Sequence, residues 1–305
     1  MGTSLVRART GTYSIVAIDA ASGQMGIGVQ THWFNVGALV PWTEVGIGVA
    51  ATQANVKVAW GLEALELLRS GSGVEDVVAQ LVAADPSSSS RQLAVADSSG
   101  RVANYTGPDC FPYAGGVTGE GWACQANMMA TPEVWPAMGE AFRSAKGTLA
   151  ERMLITLRAG DAAGGDVRGR QSAAIEIVPV HGEAWRRLVS LRVEDHPDPL
   201  DELGRLLDLH VAYGVAEEGD EALGAGELER ASKLYERASA LAPGNHELLF
   251  WAGLGAAQCG QLALGVERVK RAIEMHGGWG EMLERLPAAL FPSVDPVRRA
   301  LAEGA

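Results

Sequence analysis

Hydrophobic and polar residues follow two different periods along the first two thirds of the chain. Alternating apolar positions predict strands at residues 11–19, 24–31, 45–53, 92–96, 101–105, 122–128, 172–179 and 185–193. Apolar positions spaced three and four apart predict helices at residues 58–68, 74–83, 132–145 and 149–159. This order of strands and helix pairs predicts an α+β fold, a four-layer αββα sandwich with two antiparallel sheets between outer helices.

The pattern changes at Asp198, beyond which only helical periodicity remains. Two copies of a motif lie 34 residues apart: Gly226-Glu227-Leu228 and Gly260-Gln261-Leu262. This spacing resembles the tetratricopeptide repeat, in which helical hairpins stack side by side. We therefore predict an αββα domain at residues 12–197 and an all-α, tetratricopeptide-like domain at residues 198–305, whose repeats are a candidate surface for a protein partner.

The Gly11–Thr12 bond stands directly before the first predicted strand, behind a leader of eleven residues without a core pattern. If this bond is cut, Thr12 carries both a hydroxyl and a free α-amine. A hydroxyl needs a base to become nucleophilic, and an α-amine, with a pKa of about 7.7–8.0, suits that role. The alternative is that Thr12 is an ordinary strand residue, since threonine favours strands.

Composition narrows the classes of partner and compartment. The net charge is −12, and no cluster of basic residues occurs, which argues against nucleic acid or an anionic membrane surface as partner. The three cysteines, Cys110, Cys124 and Cys259, lack metal-site spacing, so a disulfide framework or zinc site is not expected. The chain shows no secretory signal and no run of about 20 apolar residues. These features predict a cytoplasmic protein.

Several short motifs resemble the bacterial domain-of-unknown-function family 1028 over about residues 12–210. They lie at residues 12–17, 26–30, 36–41, 51–54, 125–128, 165–174 and 191–199. The resemblance implies membership of the N-terminal-nucleophile hydrolase superfamily and its αββα fold, with Thr12 as the nucleophile. The eleven preceding residues depart from the family pattern, so the resemblance implies either self-cleavage after Gly11 or a later start of the chain. No lysine precedes Lys57, so the α-amine would act without the lysine of proteasome-like relatives.

The resemblance also implies which residue would stabilise an oxyanion. Asn127, at the end of a predicted strand, is the candidate donor, and its alternative role is turn capping. Gln53 follows an apolar strand, so a buried amide there would orient Thr12, contact substrate or bond to the backbone of a loop. Thr31 and His32 end the second strand, close to where Thr12 should emerge; a solvent-facing loop is the alternative for His32.

Charged residues follow the last predicted helix of the first domain. Arg168 and Arg170 are candidates to lower the pKa of the α-amine, or they form a structural ion pair with Asp166. Ser172 is a candidate hydrogen-bond partner of the α-amine. Asp195 and His196 lie next to prolines in an extended segment, so no metal site is expected there, and no cofactor is expected elsewhere.

These observations lead to two functional hypotheses from different classes. The first is an amide hydrolase that acts on the C–N bond of a small or peptide-like substrate, with Thr12 exposed by removal of residues 1–11. The second is a non-catalytic scaffold on the same fold, whose helical repeats hold a protein partner or a cell-wall ligand. In either case we expect a homo-oligomer that contacts neither nucleic acid nor membrane.

Overall fold

A computed structural model describes residues 11–303 of the chain. The chain divides into two compact units, Met1–Arg205 and Leu206–Ala305. The observed boundary lies later than the predicted one at residue 197 because the helix Pro199–Gly224 begins in the first unit and continues into the second. Residues 1–10 of the predicted leader lie outside the described residues.

The first unit contains two antiparallel sheets. Its strands are β1 (Thr12–Asp19), β2 (Gln24–Thr31), β3 (Pro41–Glu44), β4 (Gly48–Ala54), β5 (Arg91–Asp97), β6 (Val102–Thr106), β7 (Gly115–Gly119), β8 (Trp122–Asn127), β9 (Ser172–Pro179) and β10 (Val189–Val193). Sheet A has the order β10-β9-β2-β1-β8-β7, and sheet B has the order β3-β4-β5-β6. β1 is therefore an interior strand, paired with β2 and β8.

Four helices cover the outer faces of the sheets: α1 (Ala59–Arg69), α2 (Val74–Ala84), α3 (Val134–Ser144) and α4 (Leu149–Ala162). α1 and α2 pack on sheet B, where Trp60 is buried against Leu93 and its neighbours. α3 and α4 pack on sheet A. A third apolar layer, which includes Val16, Val29 and Val49, lies between the two sheets. Since side chains alternate along a strand, β1 presents Val16 to this inner layer and Ile15 to α4.

The predicted strands 24–31 and 172–179 coincide with β2 and β9. Two short strands, β3 and β7, were not predicted. Three of the five residues of β7 are glycines, which carry little strand signal. The predicted strand 185–193 begins only at Val189 because Trp185 lies in a turn, where it is 77% exposed.

The described part of the second unit is helical. Its helices are the C-terminal part of α5 (Pro199–Gly224), α6 (Leu228–Leu241), α7 (His246–Gln258), α8 (Leu262–Met275), α9 (Gly278–Arg285) and α10 (Val294–Glu303). α6 and α8 have the same length, and both of their ends are offset by the 34 residues of the sequence repeat. α7 and α8 cross closely: a Cβ atom at Gly265 would lie 2.6 Å from the Gly253 carbonyl oxygen.

The structure confirms the mixed α+β class, with antiparallel sheets followed by a helical region. Of the helices within residues 11–303, none is both long and apolar enough to span a bilayer.

Candidate active site around Thr12

Thr12 lies at the first position of β1 and is 1% exposed. Its Cα pairs with Thr31 on β2 and with Asn127 on β8. Its side chain shares a strand face with Ser14, whose hydroxyl donates a 2.7 Å hydrogen bond to Gln53 Oε1 in sheet B. The Thr12 side chain is therefore on the face of sheet A that looks towards sheet B, at the end of the layer between the sheets.

Two donors hold the carbonyl of the Gly11–Thr12 bond. The Thr31 hydroxyl donates to the Gly11 carbonyl oxygen, and Arg168 Nη2 donates to the same oxygen at 3.0 Å. Thr12 Oγ1 in turn donates to Thr31 Oγ1 at 3.1 Å. A continuous chain of hydroxyls thus runs from the candidate nucleophile to the oxygen of the bond that precedes it, and a cation polarises that oxygen.

A buried carboxylate orients Arg168. The Asp166 side chain is fully buried and accepts hydrogen bonds from Arg168 Nη2 at 2.7 Å and Arg168 Nε at 3.0 Å. The backbone N–H groups of Arg168 and His32 donate to the same carboxylate at 2.9 and 3.0 Å. A buried carboxylate is stable only when it is paired and fully hydrogen-bonded, and this set of donors meets that requirement. Asp166 thereby fixes the guanidinium that holds the Gly11 carbonyl.

Buried amides hold the carbonyl of Thr12 itself. Gln53 Nε2 donates to the Thr12 carbonyl oxygen at 3.0 Å, and Asn127 Nδ2 donates to it at 3.3 Å. The second hydrogen of each amide goes to Gln92 Oε1, at 2.7 Å from Gln53 and 3.0 Å from Asn127. Both hydrogens of Asn127 are therefore engaged in the intact chain, and its role as an oxyanion donor stays a prediction.

Gln92 joins the two sheets. Its Nε2 donates to Thr106 Oγ1 at 2.8 Å, to the Gly115 carbonyl at 3.1 Å and to the Ala126 carbonyl at 2.9 Å. Gln92 is fully buried on β5 of sheet B, whereas Ala126 lies on β8 of sheet A. Sequence reasoning placed this residue in a strand and assigned it no role. Its polar side chain at a buried strand position was the available signal.

The other predicted site residues have different partners. The Ser172 hydroxyl donates to the Trp33 carbonyl at 2.5 Å and accepts from the Val36 N–H at 3.1 Å, so it holds the loop after β2. Arg170 pairs with Asp161 and Asp198. This is a structural ion pair, as one of the two sequence interpretations proposed, although its partners are not Asp166.

His32 contributes through its backbone as well as its ring. Its N–H binds Asp166, and its ring Nδ1 lies 3.2 Å from the Arg170 carbonyl oxygen. The neighbouring Asp195 and His196, in the segment expected to hold no metal, also have protein partners. Asp195 accepts from Gln171 Nε2 at 3.0 Å, and His196 Nδ1 accepts from the Asp198 N–H at 3.0 Å.

A small cleft adjoins Asn127. Its other lining residues are Ala54, Asn55, Ser90, Asp109, Cys110 and Phe111. Ala54 and Met128 follow β4 and β8 in the left-handed region, with φ of 69° and 58°. Non-glycine residues in this region are strained, and such strain concentrates at functional sites. Burial raises the pKa of the Cys110 thiol to about 11, so this cysteine is neutral at pH 7 and a poor nucleophile.

Tyr13 follows the candidate nucleophile but faces the opposite side of sheet A, towards α4. Burial raises the pKa of Tyr13 well above its usual value, and the nearby Asp161 carboxylate raises it further. The phenol is therefore neutral and is not a base for Thr12. The groups that meet at the Gly11–Thr12 bond are Thr12, Thr31, Gln53, Asn127, Asp166 and Arg168.

The match to known proteins starts at the candidate nucleophile. The model of a family described as "Family of unknown function (DUF1028)" matches residues 12–203, which is more than half of the chain. The chain belongs to the DUF1028 family. The remaining helical residues lie outside the matched range. No curated protein matches the chain.

A solved structure of the same family is similar to the chain. This is the crystal structure of protein SPO2555 from Silicibacter pomeroyi, a DUF1028 protein with 34% sequence identity and a TM-score of 0.60. The similarity covers 65% of this chain and 84% of that chain. It supports a shared fold for the DUF1028 region, and the family description assigns no activity.

Proposed function

We propose that this DUF1028 protein is an N-terminal-nucleophile amide hydrolase that exposes Thr12 by cutting its own Gly11–Thr12 bond. The observation that carries the proposal is the chain of hydroxyls from Thr12 through Thr31 to the Gly11 carbonyl, with Arg168 on the same oxygen. Two antiparallel sheets between helix pairs agree with the fold of that superfamily. The family match that begins at Thr12 gives independent support.

Self-cleavage would begin with attack of Thr12 Oγ1 on the Gly11 carbonyl carbon. As the O–C bond forms, the Thr12 hydroxyl proton passes to Thr31 Oγ1, and the Thr31 proton passes to the carbonyl oxygen. Arg168 stabilises the charge that develops on that oxygen, as oxyanion donors do. When the C–N bond breaks, the proton moves to the departing Thr12 nitrogen and leaves an ester. Water then hydrolyses the ester, releasing a chain that ends at Gly11 and restoring the Thr12 hydroxyl.

The processed chain would use the same threonine on amide substrates. The free α-amine of Thr12 takes the hydroxyl proton during attack and returns it to the leaving amine. Arg168 and Asp166 act on this amine in opposite directions, and because they are paired their effects largely cancel. An amine with a pKa near the ordinary 7.7–8.0 is then deprotonated often enough at neutral pH to act as base.

The test is the intact mass and N-terminal sequence of the purified full chain, compared with three variants. Wild type and Thr12→Ser are expected to start at residue 12, since both keep a hydroxyl. Thr12→Ala is expected to keep the residues before it. Thr118→Ala, at an exposed position of β7, is the control and should be processed like wild type. A wild-type chain that keeps its Gly11–Thr12 bond would refute the proposal and favour the scaffold hypothesis.

We also propose that residues 226–275 form a tetratricopeptide-like pair of repeats. The support is the matching length of α6 and α8 at an offset of 34 residues and the close crossing at Gly265. Binding of a protein partner by these repeats, and self-association of the chain, stay predictions.

A further inference from the structure

The residue before Thr12 is held in a space that admits only glycine. A Cβ atom at Gly11 would lie 2.8 Å from both carboxylate oxygens of Asp166 and 2.9 Å from its Cγ. The backbone of Gly11 does not require the left-handed conformation that favours glycine. The limit is therefore the space taken by Asp166.

Asp166 cannot readily move to admit a side chain. Its carboxylate is fully buried and is held by His32 and Arg168, as described above. Its backbone is anchored as well, by a β-bridge to Met129 and by the Gly169 N–H, which donates to the Asp166 carbonyl at 2.9 Å. A shift of the carboxylate would break charged, buried hydrogen bonds, which are costly to lose.

The acyl group cannot readily turn away from Asp166 either. Thr31 and Arg168 both hold the Gly11 carbonyl oxygen. Because the carbonyl is fixed, the direction of the Cα–Cβ bond on an L-amino acid is fixed too, and it points at the carboxylate.

We infer that Asp166 is the specificity-determining residue on the acyl side of Thr12, and that the substrates are amides whose acyl α-carbon is a methylene group, as in glycyl compounds. This inference rests on the proposed function. Self-cleavage and substrate hydrolysis both pass through an ester on Thr12 Oγ1, so the acyl carbon of a substrate takes the place of the Gly11 carbonyl carbon. Amides of alanine and larger L-amino acids would place a side chain against Asp166 and are rejected.

The first experiment measures the self-cleavage rate of full chains by intact mass over time after refolding. Gly11→Ala is expected to slow cleavage at least about tenfold, which is in the range that overpacking a rigid site costs. The control is Gly73→Ala, where a Cβ would find nothing closer than 3.6 Å, and it should cleave at the wild-type rate. The ratio of the rate with glycine at position 11 to the rate with the Gly11→Ala substitution is then measured again in chains that also carry Asp166→Asn or Asp166→Ser.

The ratio is the readout because Asp166 also anchors Arg168 and its replacement slows both chains. Asparagine has the size of aspartate, so the ratio should stay near its wild-type value, whereas serine is smaller and should reduce it. The second experiment compares glycyl and L-alanyl amides of 7-amino-4-methylcoumarin as substrates of the self-processed wild type. We expect kcat/KM for the glycyl amide to exceed that for the alanyl amide at least about tenfold, for the same steric reason.

The outcomes separate the inference from the function on which it rests. A wild-type chain that never cleaves overturns both. Wild type and Gly11→Ala chains that cleave at equal rates overturn the acyl selectivity alone and leave self-cleavage standing. A self-processed chain that hydrolyses both amides equally, or neither, overturns the assignment of the substrate class.

Discussion

Replacing Gln92 with leucine tests whether the buried amide network holds the two sheets together. Gln92 makes five hydrogen bonds through its side chain, two as acceptor and three as donor. Leucine has a similar size but neither donors nor acceptors. It leaves one amide hydrogen of Gln53 and one of Asn127 without Gln92 Oε1.

The expected loss follows from these five bonds. Each intramolecular hydrogen bond contributes about 1 kcal/mol net, so the network around Gln92 is worth about 5 kcal/mol. A buried leucine side chain recovers about 1–2 kcal/mol by removing apolar surface from water. The Gln92→Leu variant should therefore be about 3–4 kcal/mol less stable than wild type, a large share of the stability of an ordinary domain.

The assay is urea-induced unfolding followed by intrinsic fluorescence, fitted with separate transitions for the two units. The transition of the first unit should move to lower urea, with an unchanged slope. Gln80→Leu is the control: Gln80 is exposed on α2, and its replacement should change the free energy of unfolding by no more than about 0.5 kcal/mol.

A loss below about 1 kcal/mol for Gln92→Leu, at an unchanged slope, would refute this reasoning. It would mean that the freed amides find other partners at little cost. The hydrogen bonds counted here would then not be what joins sheet B to sheet A.

Two further predictions concern other parts of the chain. Gly265→Ala should destabilise the second unit by about 1–3 kcal/mol in the same urea assay, because the new methyl group meets the Gly253 carbonyl where α7 and α8 cross. Asp85→Asn should destabilise the first unit by about 1–3 kcal/mol at pH 7, since it removes a mostly buried ion pair with Arg91. Burial raises the pKa of Asp85, but hydrogen bonds from Ser87 and Arg91 outweigh burial, and the pKa is lowered. A lowered pKa stabilises the fold above the unfolded value of about 3.9, so the difference between wild type and variant should shrink as the pH falls below about 4.

Matched substitutions give the controls for these two predictions. Gly214→Ala, in helix α5 with open space around the new methyl group, should raise stability by up to about 1 kcal/mol, in contrast to Gly265→Ala. An equal gain at both positions would contradict the close crossing. Glu140→Gln removes an exposed ion pair with Arg143 and should change stability by less than about 1 kcal/mol. A loss for Asp85→Asn that is as large at pH 3 as at pH 7 would show that its charge is not the cause.

Local periodicity determined most of the elements of this protein. The strands β2 and β9 have the predicted bounds, and the 34-residue repeat anticipated the equal lengths of α6 and α8. These features depend on neighbours within a few residues, whose spacing along the chain fixes which face they occupy. Where glycine replaces patterned residues, as in β7, the pattern predicted no strand.

The sequence by itself also pointed to Gly11 and Thr12, because the candidate nucleophile and its amine belong to one residue. It could not separate Arg168 from Arg170, which stand two positions apart beside the same aspartate. In the structure Arg168 holds the Gly11 carbonyl, 157 residues away along the chain, whereas Arg170 pairs with Asp161 and Asp198. Nor could it place Gln92 between the sheets. Such contacts depend on which strands lie side by side and how the sheets stack, and no local period encodes that arrangement, so only the tertiary structure decided them.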